Sequence, residues 1–316
     1  MDGNPRYLDP TATALLDDAL HGLTRPEKVL SPKWLYDQRG SALFEQITTL
    51  PEYYLTRTEA GILRANSDLL AGLVPEDGAL VELGSGASVK TRILLDAGGH
   101  FGAYVPVDIS EGFLHDTADG LRQRYPDLAI HPKVGDFTGP LTLPHAVADL
   151  PKIGFFPGST IGNLAPDAAR DLLAHARKWP AMEGFILGAD LVKSADTLVA
   201  AYDDAQAVTA AFISNILVRL NSELGADFDL DHFRYEALWN DRLARIDMRL
   251  ISARRQIVHL QGHEIAFAKD EPIHVSAARK FTDQSLSALV GAAGWSVNTV
   301  LTDPDGLFAI AVLRPN

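Results

Sequence analysis

The stretch Val81-Glu82-Leu83-Gly84-Ser85-Gly86 decides the fold. It completes the apolar run Gly78–Val81, reaches an acidic residue and breaks at once into a glycine turn. The next apolar run, Tyr104–Val107, is closed by a second acid, Asp108. A strand that ends in a tight glycine loop, with a carboxylate at the tip of the neighbouring strand about twenty residues later, is typical of a site for adenosine.

The third small position of the loop separates the two adenosine carriers that use this geometry, dinucleotides and S-adenosylmethionine (SAM). A dinucleotide needs a small residue there, so that its pyrophosphate can rest on a closely packed helix N-terminus. In this loop the position is occupied by the β-branched Val89. SAM has no pyrophosphate and is therefore favoured, and a nicotinamide oxidoreductase on the same sheet is the alternative from another enzyme class.

Apolar runs alternate with amphipathic segments along most of the chain, which is the pattern of βαβ units and a parallel sheet. After the first strand, the pattern predicts helices over Ser88–Ala97 and Glu111–Arg124 and strands over Leu128–Val134, Lys152–Phe156 and Gly184–Gly188. Near the C-terminus it predicts a helix over Asp283–Ala293 and strands over Ser296–Leu301 and Leu307–Leu313. Such a closing hairpin is typical of the class I methyltransferase variant of the doubly wound, Rossmann-like α/β sheet.

Residues 194–280 interrupt this alternation. A long helical pattern runs from Ser194 to about Leu224, and four strands of antiparallel character follow, over 235–239, 246–252, 256–260 and 264–268. We therefore expect a SAM-binding methyltransferase domain over 57–193 and 281–316. A second α+β lobe would combine 1–56 with 194–280 and bind the substrate, with the substrate site in the cleft between the lobes.

Composition narrows the range of partners. The net charge of −13, with no Lys/Arg cluster among aromatic residues, argues against nucleic acid and for a small-molecule substrate. The chain has no cysteine, which excludes thiol nucleophiles and thiolate zinc sites. His259 and His263 have metal-like spacing, but Gly262 makes this segment a turn, so no metal is predicted. Because neither a signal-peptide pattern nor a long apolar run is present, we expect a cytoplasmic protein that does not bind membranes. We also expect a monomer.

Five segments are longer and more unusual than these general patterns: Pro32–Asp37, Gly40–Phe44, Leu50–Glu59, Gly158–Leu164 and Ala201–Ala205. In order and over nearly the whole chain, the sequence resembles the L-histidine Nα-methyltransferase family of ergothioneine biosynthesis. That family transfers three methyl groups from SAM to the α-amine of a free amino acid and releases S-adenosylhomocysteine. The resemblance implies a methyltransferase with an amino-acid substrate.

The resemblance also assigns residues to the cofactor. Residues at the ends of successive strands would bind SAM, namely Glu82, Gly84, Ser85, Gly86, Lys90, Asp108 and the turn Gly135-Asp136-Phe137. This set agrees with the expectation that ligands bind beyond the carboxyl ends of parallel strands.

A second set of residues would bind the amino acid. Asn163 and Tyr202 would hold its α-amino and α-carboxylate groups, while Tyr36 and Tyr53 would line the amine and side-chain pocket. Gly158, Thr160, Phe212 and Met248 would surround them. Tyr36 and Asn163 are the candidate catalytic residues, because methyl transfer requires an aligned amine that has lost its proton.

One segment departs from the family pattern. The histidine enzymes carry a Thr-Glu-x-Ser-type segment before a Lys-Phe or Lys-Tyr pair, and its Glu and Ser hydrogen-bond the imidazole. Here Ser276 occupies the position of the glutamate and Ala278 that of the serine, ahead of Lys280-Phe281. The pocket should therefore be larger and less polar, which favours an aromatic substrate such as L-tryptophan.

Besides the oxidoreductase, two alternatives remain open for the substrate and the activity. L-histidine could still be the substrate if Tyr53 and a water replace the carboxylate, and His274 or Arg279 could supply a contact. A protein that binds SAM without turnover is the non-catalytic alternative.

Overall fold

The computed structural model describes residues 9–86 and 88–316; residues 1–8 of the predicted substrate lobe and Ala87 of the glycine loop lie outside this description. The chain divides into two compact units. The first unit comprises the residues up to Tyr53 together with Ser194–Ala277, and the second comprises Tyr54–Lys193 with Ala278–Asn316. The second unit thus begins and resumes three residues before the predicted positions, 57 and 281.

The helices and strands are numbered in chain order. The α-helices are α1 (Pro10–Leu23), α2 (Gln38–Thr49), α3 (Tyr54–Ala65), α4 (Ser67–Ala71), α5 (Thr91–Ala97), α6 (Glu111–Arg124), α7 (Pro166–Ala176), α8 (Ala195–Tyr202), α9 (Val208–Leu224) and α10 (Asp283–Ala292). The strands are β1 (Lys28–Val29), β2 (Ala79–Leu83), β3 (Ala103–Asp108), β4 (Ala129–Ile130), β5 (Lys133–Val134), β6 (Lys152–Phe156), β7 (Met182–Asp190), β8 (Phe233–Asn240), β9 (Arg245–Ser252), β10 (Gln256–Leu260), β11 (His263–Phe267), β12 (Pro272–Arg279), β13 (Trp295–Thr302) and β14 (Phe308–Pro315). In the described ranges, none of these helices combines the length and the apolar character needed to cross a bilayer.

The second unit is built on an eight-stranded sheet of order β4-β3-β2-β6-β7-β14-β13, with β5 paired to β3. Strands β2, β3, β4, β6 and β7 run parallel, whereas β14 is antiparallel to both of its neighbours. This arrangement confirms the predicted class I methyltransferase sheet with its closing hairpin. The carboxyl ends of the parallel strands therefore meet at one edge of the sheet.

The core of the second unit explains why its strands are almost continuously apolar. Every residue of β2 and β6 is buried, because helices cover both faces of a parallel sheet. Trp295 at the start of β13 is fully enclosed, and its indole N–H donates to the carbonyl of Leu173 on α7 at 2.9 Å. That bond satisfies the only polar atom of the side chain.

The first unit contains a four-stranded sheet of order β1-β12-β9-β8 and the hairpin β10–β11. The predicted strands coincide with β8 to β11, and both β8–β9 and β10–β11 are antiparallel as expected. The structure adds β12, which the sequence analysis did not predict and which pairs in parallel with β1. This strand carries Ser276 and Ala278.

Two predicted elements were wrong in their continuity. The single helix over Ser194–Leu224 is divided into α8 and α9, because Ala207 adopts a left-handed φ of 56° and the Asp204 carboxylate accepts the backbone N–H groups that open α9. The single strand over 128–134 consists of the short β4 and β5, since Pro132 between them lacks the N–H that a ladder requires.

Candidate active site

The glycine loop leaves β2 in the geometry that the sequence predicted. Gly84 and Gly86 have left-handed φ values of 68° and 47°, a region that glycine enters without steric cost. The N–H groups of Gly84 and Ser85 donate to the carbonyl of Val107 on β3, and Gly86 donates to the Asp108 carboxylate at 3.1 Å. The loop is thus fastened to the neighbouring strand tip.

The turn after β5 lies beside this loop. Gly135 donates its N–H to the carbonyl of Asp108 at 3.0 Å, and a Cβ atom on Gly84 would come within 3.4 Å of the Phe137 ring. Asp136 is exposed and orders the turn by accepting from the N–H and hydroxyl of Thr138. The structure therefore brings together seven predicted cofactor residues, Gly84, Ser85, Gly86, Asp108, Gly135, Asp136 and Phe137.

This cluster of residues fits an adenosine-containing cofactor. Asp108 uses one carboxylate oxygen for Gly86 and the other for the N–H of Ser110, and a carboxylate has lone pairs left for further donors such as ribose hydroxyls. The Ser85 hydroxyl is buried and has no hydrogen-bond partner among the described residues. A buried polar group of this kind calls for a ligand or water.

Glu82 lies beneath the loop with partners that the sequence did not reveal. Its side chain is 1% exposed, and one carboxylate oxygen accepts from the hydroxyls of both Thr91 and Tyr104. Burial raises the pKa of Glu82 to about 8, although these two hydrogen bonds and the charge of Lys90 act in the opposite direction. Its predicted contact with the cofactor stays a prediction.

Lys90 reaches a carboxylate to which the sequence analysis assigned no role. Its ammonium group lies 2.5 Å from Glu59 of α3, a residue with no exposed surface. The same carboxylate accepts the N–H of Gly158 at 2.9 Å. Glu59 stands in the quoted segment Leu50–Glu59, so the motif was visible although the pairing was not.

The segment after β6 presents three of the predicted substrate residues. Gly158 and Ser159 have left-handed φ values of 80° and 57°, and a short 3-10 helix follows over Thr160–Asn163. The Thr160 hydroxyl donates back to the carbonyl of Pro157 at 3.0 Å, which closes the turn. Asn163 ends this helix on the protein surface, where it is accessible to a ligand.

In the first unit the predicted aromatic residues form two groups. Tyr36, Phe44 and Phe212 pack with ring centroids 5.4 to 5.8 Å apart. Tyr53 packs edge-on against Tyr202 at 5.9 Å. Phe44 lies in one of the five quoted segments but was not predicted as a site residue. The local sequence around it gave no signal of this contact.

Three of the residues predicted to line the substrate pocket lie on adjacent strands. Met248 is in β9, and Ser276 and Ala278 are in β12, the strand next to it. All three are buried, with exposed fractions of 5%, 6% and 3%. Because side chains alternate along a strand, Ser276 and Ala278 lie on the same face of β12.

Sequence comparison relates this chain to known proteins. Residues 15–315 match the family described as histidine-specific methyltransferase, SAM-dependent. The chain is 42% identical to the histidine N-alpha-methyltransferase of Mycolicibacterium smegmatis, covering 96% of both chains. It is 42% identical to the enzyme of the same name from Mycobacterium tuberculosis, over 95% of this chain and 94% of the relative. An L-tryptophan methyltransferase of Psilocybe serbica is 26% identical over 94% of this chain and 92% of its own.

Proposed function

We propose that this chain, which belongs to the family of histidine-specific, SAM-dependent methyltransferases, methylates the α-amino group of an L-amino acid. The side chain of this amino acid is larger and less polar than imidazole. The protein is a SAM-dependent amino-acid N-methyltransferase. The proposal concerns the identity of the amino acid, with L-tryptophan favoured, and the transfer of up to three methyl groups.

The pair of buried residues at 276 and 278 carries this proposal. Imidazole presents two nitrogen atoms that need partners, and in the histidine enzymes of the family a glutamate and a serine supply them. Ser276 has a shorter side chain with no charge, and Ala278 has no polar atom. A histidine in this pocket would leave an imidazole nitrogen unpaired, which costs about 1–3 kcal/mol for a buried polar group.

An indole ring suits the same residues better. It has a single N–H donor and a large apolar surface, so it needs one acceptor and gains from burial. Ser276 can accept a hydrogen bond from the indole N–H. Serine in place of glutamate at 276, and alanine in place of serine at 278, leave more space for a large ring. The buried thioether of Met248 offers a polarizable surface of the kind that packs well against aromatic rings.

L-histidine is the second candidate. The identity of 42% to two histidine N-alpha-methyltransferases extends over almost the entire chain and favours this substrate. In that case another group must bind the imidazole. His274, two residues before Ser276 in β12, would be the candidate, and its side chain lies 3.9 Å from the Asp247 carboxylate.

The proposed roles follow from what displacement at a sulfonium carbon demands. SAM supplies an activated methyl group, and the N–C bond forms as the C–S bond breaks. Asn163 would orient the amine because its amide both donates and accepts, and Tyr202 would bind the carboxylate. Tyr36 and Tyr53 would position the amine. A phenol close to the amine can also relay the proton that the α-ammonium group loses to solvent.

The test is a methylation screen followed by a reciprocal substitution. The protein is incubated with SAM and each of the twenty amino acids, and mass gains of one to three methyl groups are recorded. We expect gains with L-tryptophan ahead of L-histidine. The double variant Ser276→Glu/Ala278→Ser should shift the ratio of kcat/KM for histidine over tryptophan at least tenfold towards histidine.

Ser296→Glu is the matched control, since it adds the same charge at an exposed position of β13 and should leave the ratio unchanged. Methylation of histidine alone by the unaltered protein would refute the aromatic substrate. An unchanged ratio in the double variant would show that 276 and 278 do not set specificity.

A further inference from the structure

A buried ion pair lies below the two loops that carry the proposed cofactor and substrate residues. Glu59 is completely buried on α3 and contacts Lys90, which follows the glycine loop, at 2.5 Å. It also accepts the N–H of Gly158, which opens the segment ending in Asn163, at 2.9 Å from both carboxylate oxygens. One carboxylate therefore joins two loops that are far apart in the sequence.

The surrounding backbone is shaped to admit this pair. A Cβ atom on Gly188 of β7 would lie 2.3 Å from a carboxylate oxygen of Glu59, so any other residue there would displace this carboxylate. A Cβ atom on Gly158 would lie 3.2 Å from the Lys90 ammonium group. Gly188 thus leaves space for the carboxylate and Gly158 for the ammonium group of the same ion pair.

Glu59 also belongs to the electrostatic environment of the glycine loop. The charge of Lys90 lowers the pKa of the buried Glu82 and the charge of Glu59 raises it, so the three groups influence one another below the loop. A change at Glu59 therefore acts on both the lysine and the loop that Glu82 supports.

We propose that Glu59 is a positioning residue for methyl transfer, which holds Lys90 and the Gly158 backbone together and so orders the cofactor loop and the Asn163 segment as one body. The inference rests on the proposed function, in which Lys90 binds SAM and Asn163 binds the amino acid. Glu59 itself does not contact the reacting atoms; it acts through its two donors.

The carboxylate is required because both of its neighbours are donors. Lys90 donates to one carboxylate oxygen, and the Gly158 N–H lies 2.9 Å from that oxygen and from the other, so both oxygens face a donor. Glutamine has the same shape but a single acceptor oxygen, and its NH2 group would face one of the donors. Glu59→Gln is thus a nearly isosteric change that sets an NH2 group against one of the two donors and removes the charge that pairs with Lys90.

The first test compares ligand affinities in Glu59→Gln. Calorimetry with S-adenosylhomocysteine should show at least fivefold weaker binding, since an uncharged amide holds the Lys90 ammonium group less firmly than a carboxylate does. The KM for the amino-acid substrate, measured with L-tryptophan and with L-histidine, should rise about tenfold. The reason is that Lys90 competes with Gly158 for the one remaining acceptor, the amide oxygen of the new side chain. Values within twofold of the unaltered protein for both ligands would overturn the proposal.

The second test separates positioning from general damage. In Glu59→Gln/Lys90→Met the competing donor is absent, so the glutamine oxygen can again accept from Gly158. The amino-acid KM should return to within threefold of the unaltered value, whereas S-adenosylhomocysteine affinity stays reduced. A double variant with the same raised KM as Glu59→Gln would contradict the proposed arrangement.

Glu59→Asp keeps both acceptor oxygens and serves if Glu59→Gln fails to fold, which far-UV circular dichroism would reveal. If both variants fold, Glu59→Asp should retain at least ten times the kcat/KM of Glu59→Gln. If Glu59→Gln does not fold, Glu59→Asp should still fold. Equal loss in both variants would overturn the proposal. Calorimetry needs no amino acid. If neither amino acid is methylated by the unaltered protein, the substrate proposal fails, and the affinity comparison still decides the role of Glu59.

Discussion

Single buried side chains decide how the cofactor edge of the sheet is supported. Glu82 was predicted from its position at a strand end, but its partners Thr91 and Tyr104 could be identified only in the folded chain. The hydrogen bonds hold the carboxyl group in place while burial favours its neutral form. With its pKa raised to about 8, this carboxyl group favours the protonated form in the native structure at neutral pH.

This protonation predicts a dependence of stability on pH. The native pKa of Glu82 is about 8 against an ordinary value of 4.5, so between these values the native state keeps a proton that the unfolded chain has lost. The free energy of unfolding should therefore fall as pH rises through this interval, by up to about 1.4 kcal/mol per pH unit. Below pH 4.5 the contribution is fully present.

Glu82→Gln imitates the protonated form and should remove this dependence. Urea unfolding at pH 5.5 and pH 8.0 should show the variant more stable than the unaltered protein at the higher pH, with the difference much reduced at the lower. Glu76→Gln, at an exposed carboxyl group, is the control. Parallel pH profiles for the unaltered protein and Glu82→Gln would contradict a buried neutral carboxyl group.

Helix boundaries in the first unit depend on a cap that the helical pattern concealed. The carboxylate of Asp204 accepts from Val208 and Thr209 at 2.9 and 2.8 Å and so begins α9. Although burial acts to raise it, these hydrogen bonds hold the pKa of Asp204 below its ordinary value. Apolar periodicity continues through the break without glycine or proline, so the sequence predicted one helix.

Removing either end of α9 should separate stability from substrate binding. Asp204→Ala loses the cap, and Gly225→Ala strains a left-handed C-terminal residue with φ of 66°; each should cost about 1–2 kcal/mol of unfolding free energy. Only Asp204→Ala should also raise the amino-acid KM, by about fivefold or more, because it lies two residues from Tyr202. Thermal melts and steady-state kinetics check this, and equal KM effects in both variants would refute the link.

Three residues near the sequence boundaries between the two units contact one carboxylate of the second unit. Tyr54 is the first residue of that unit, Lys193 precedes the segment that departs from it, and Lys280 follows the return. All three contact Asp190, at distances of 2.7 to 2.9 Å. Burial lowers the pKa of Lys280, opposed by the charge of Asp190.

Substitution of this carboxylate should destabilise the protein more than substitution of a partner. Asp190→Asn leaves two largely buried ammonium groups without a counter-charge and should cost about 3–5 kcal/mol, whereas Lys280→Met leaves Asp190 paired with Lys193. Adding Lys280→Met to Asp190→Asn should recover part of the loss in urea unfolding. Asp119→Asn in an exposed ion pair is the control, with an expected cost under about 1 kcal/mol. Additive losses in the double variant would contradict this account.

Local sequence was enough to predict the sheet, the glycine loop and the turns that follow the strand ends, whereas the contacts of their residues with the cofactor stay a prediction. Left-handed glycines, runs of buried apolar residues and acids at strand tips express constraints that act within a few residues, so they can be seen without a fold. The strand β12 was missed because its small residues, Ser276 to Ala278, carry little strand preference.

The roles of Glu59, Asp190 and the hydroxyl partners of Glu82 came only from the folded chain. Glu59 is 99 residues from Gly158, and Tyr54 is 136 from Asp190. A buried charge is tolerated only where the fold brings donors to it, and no pattern along the chain shows which distant donors these are.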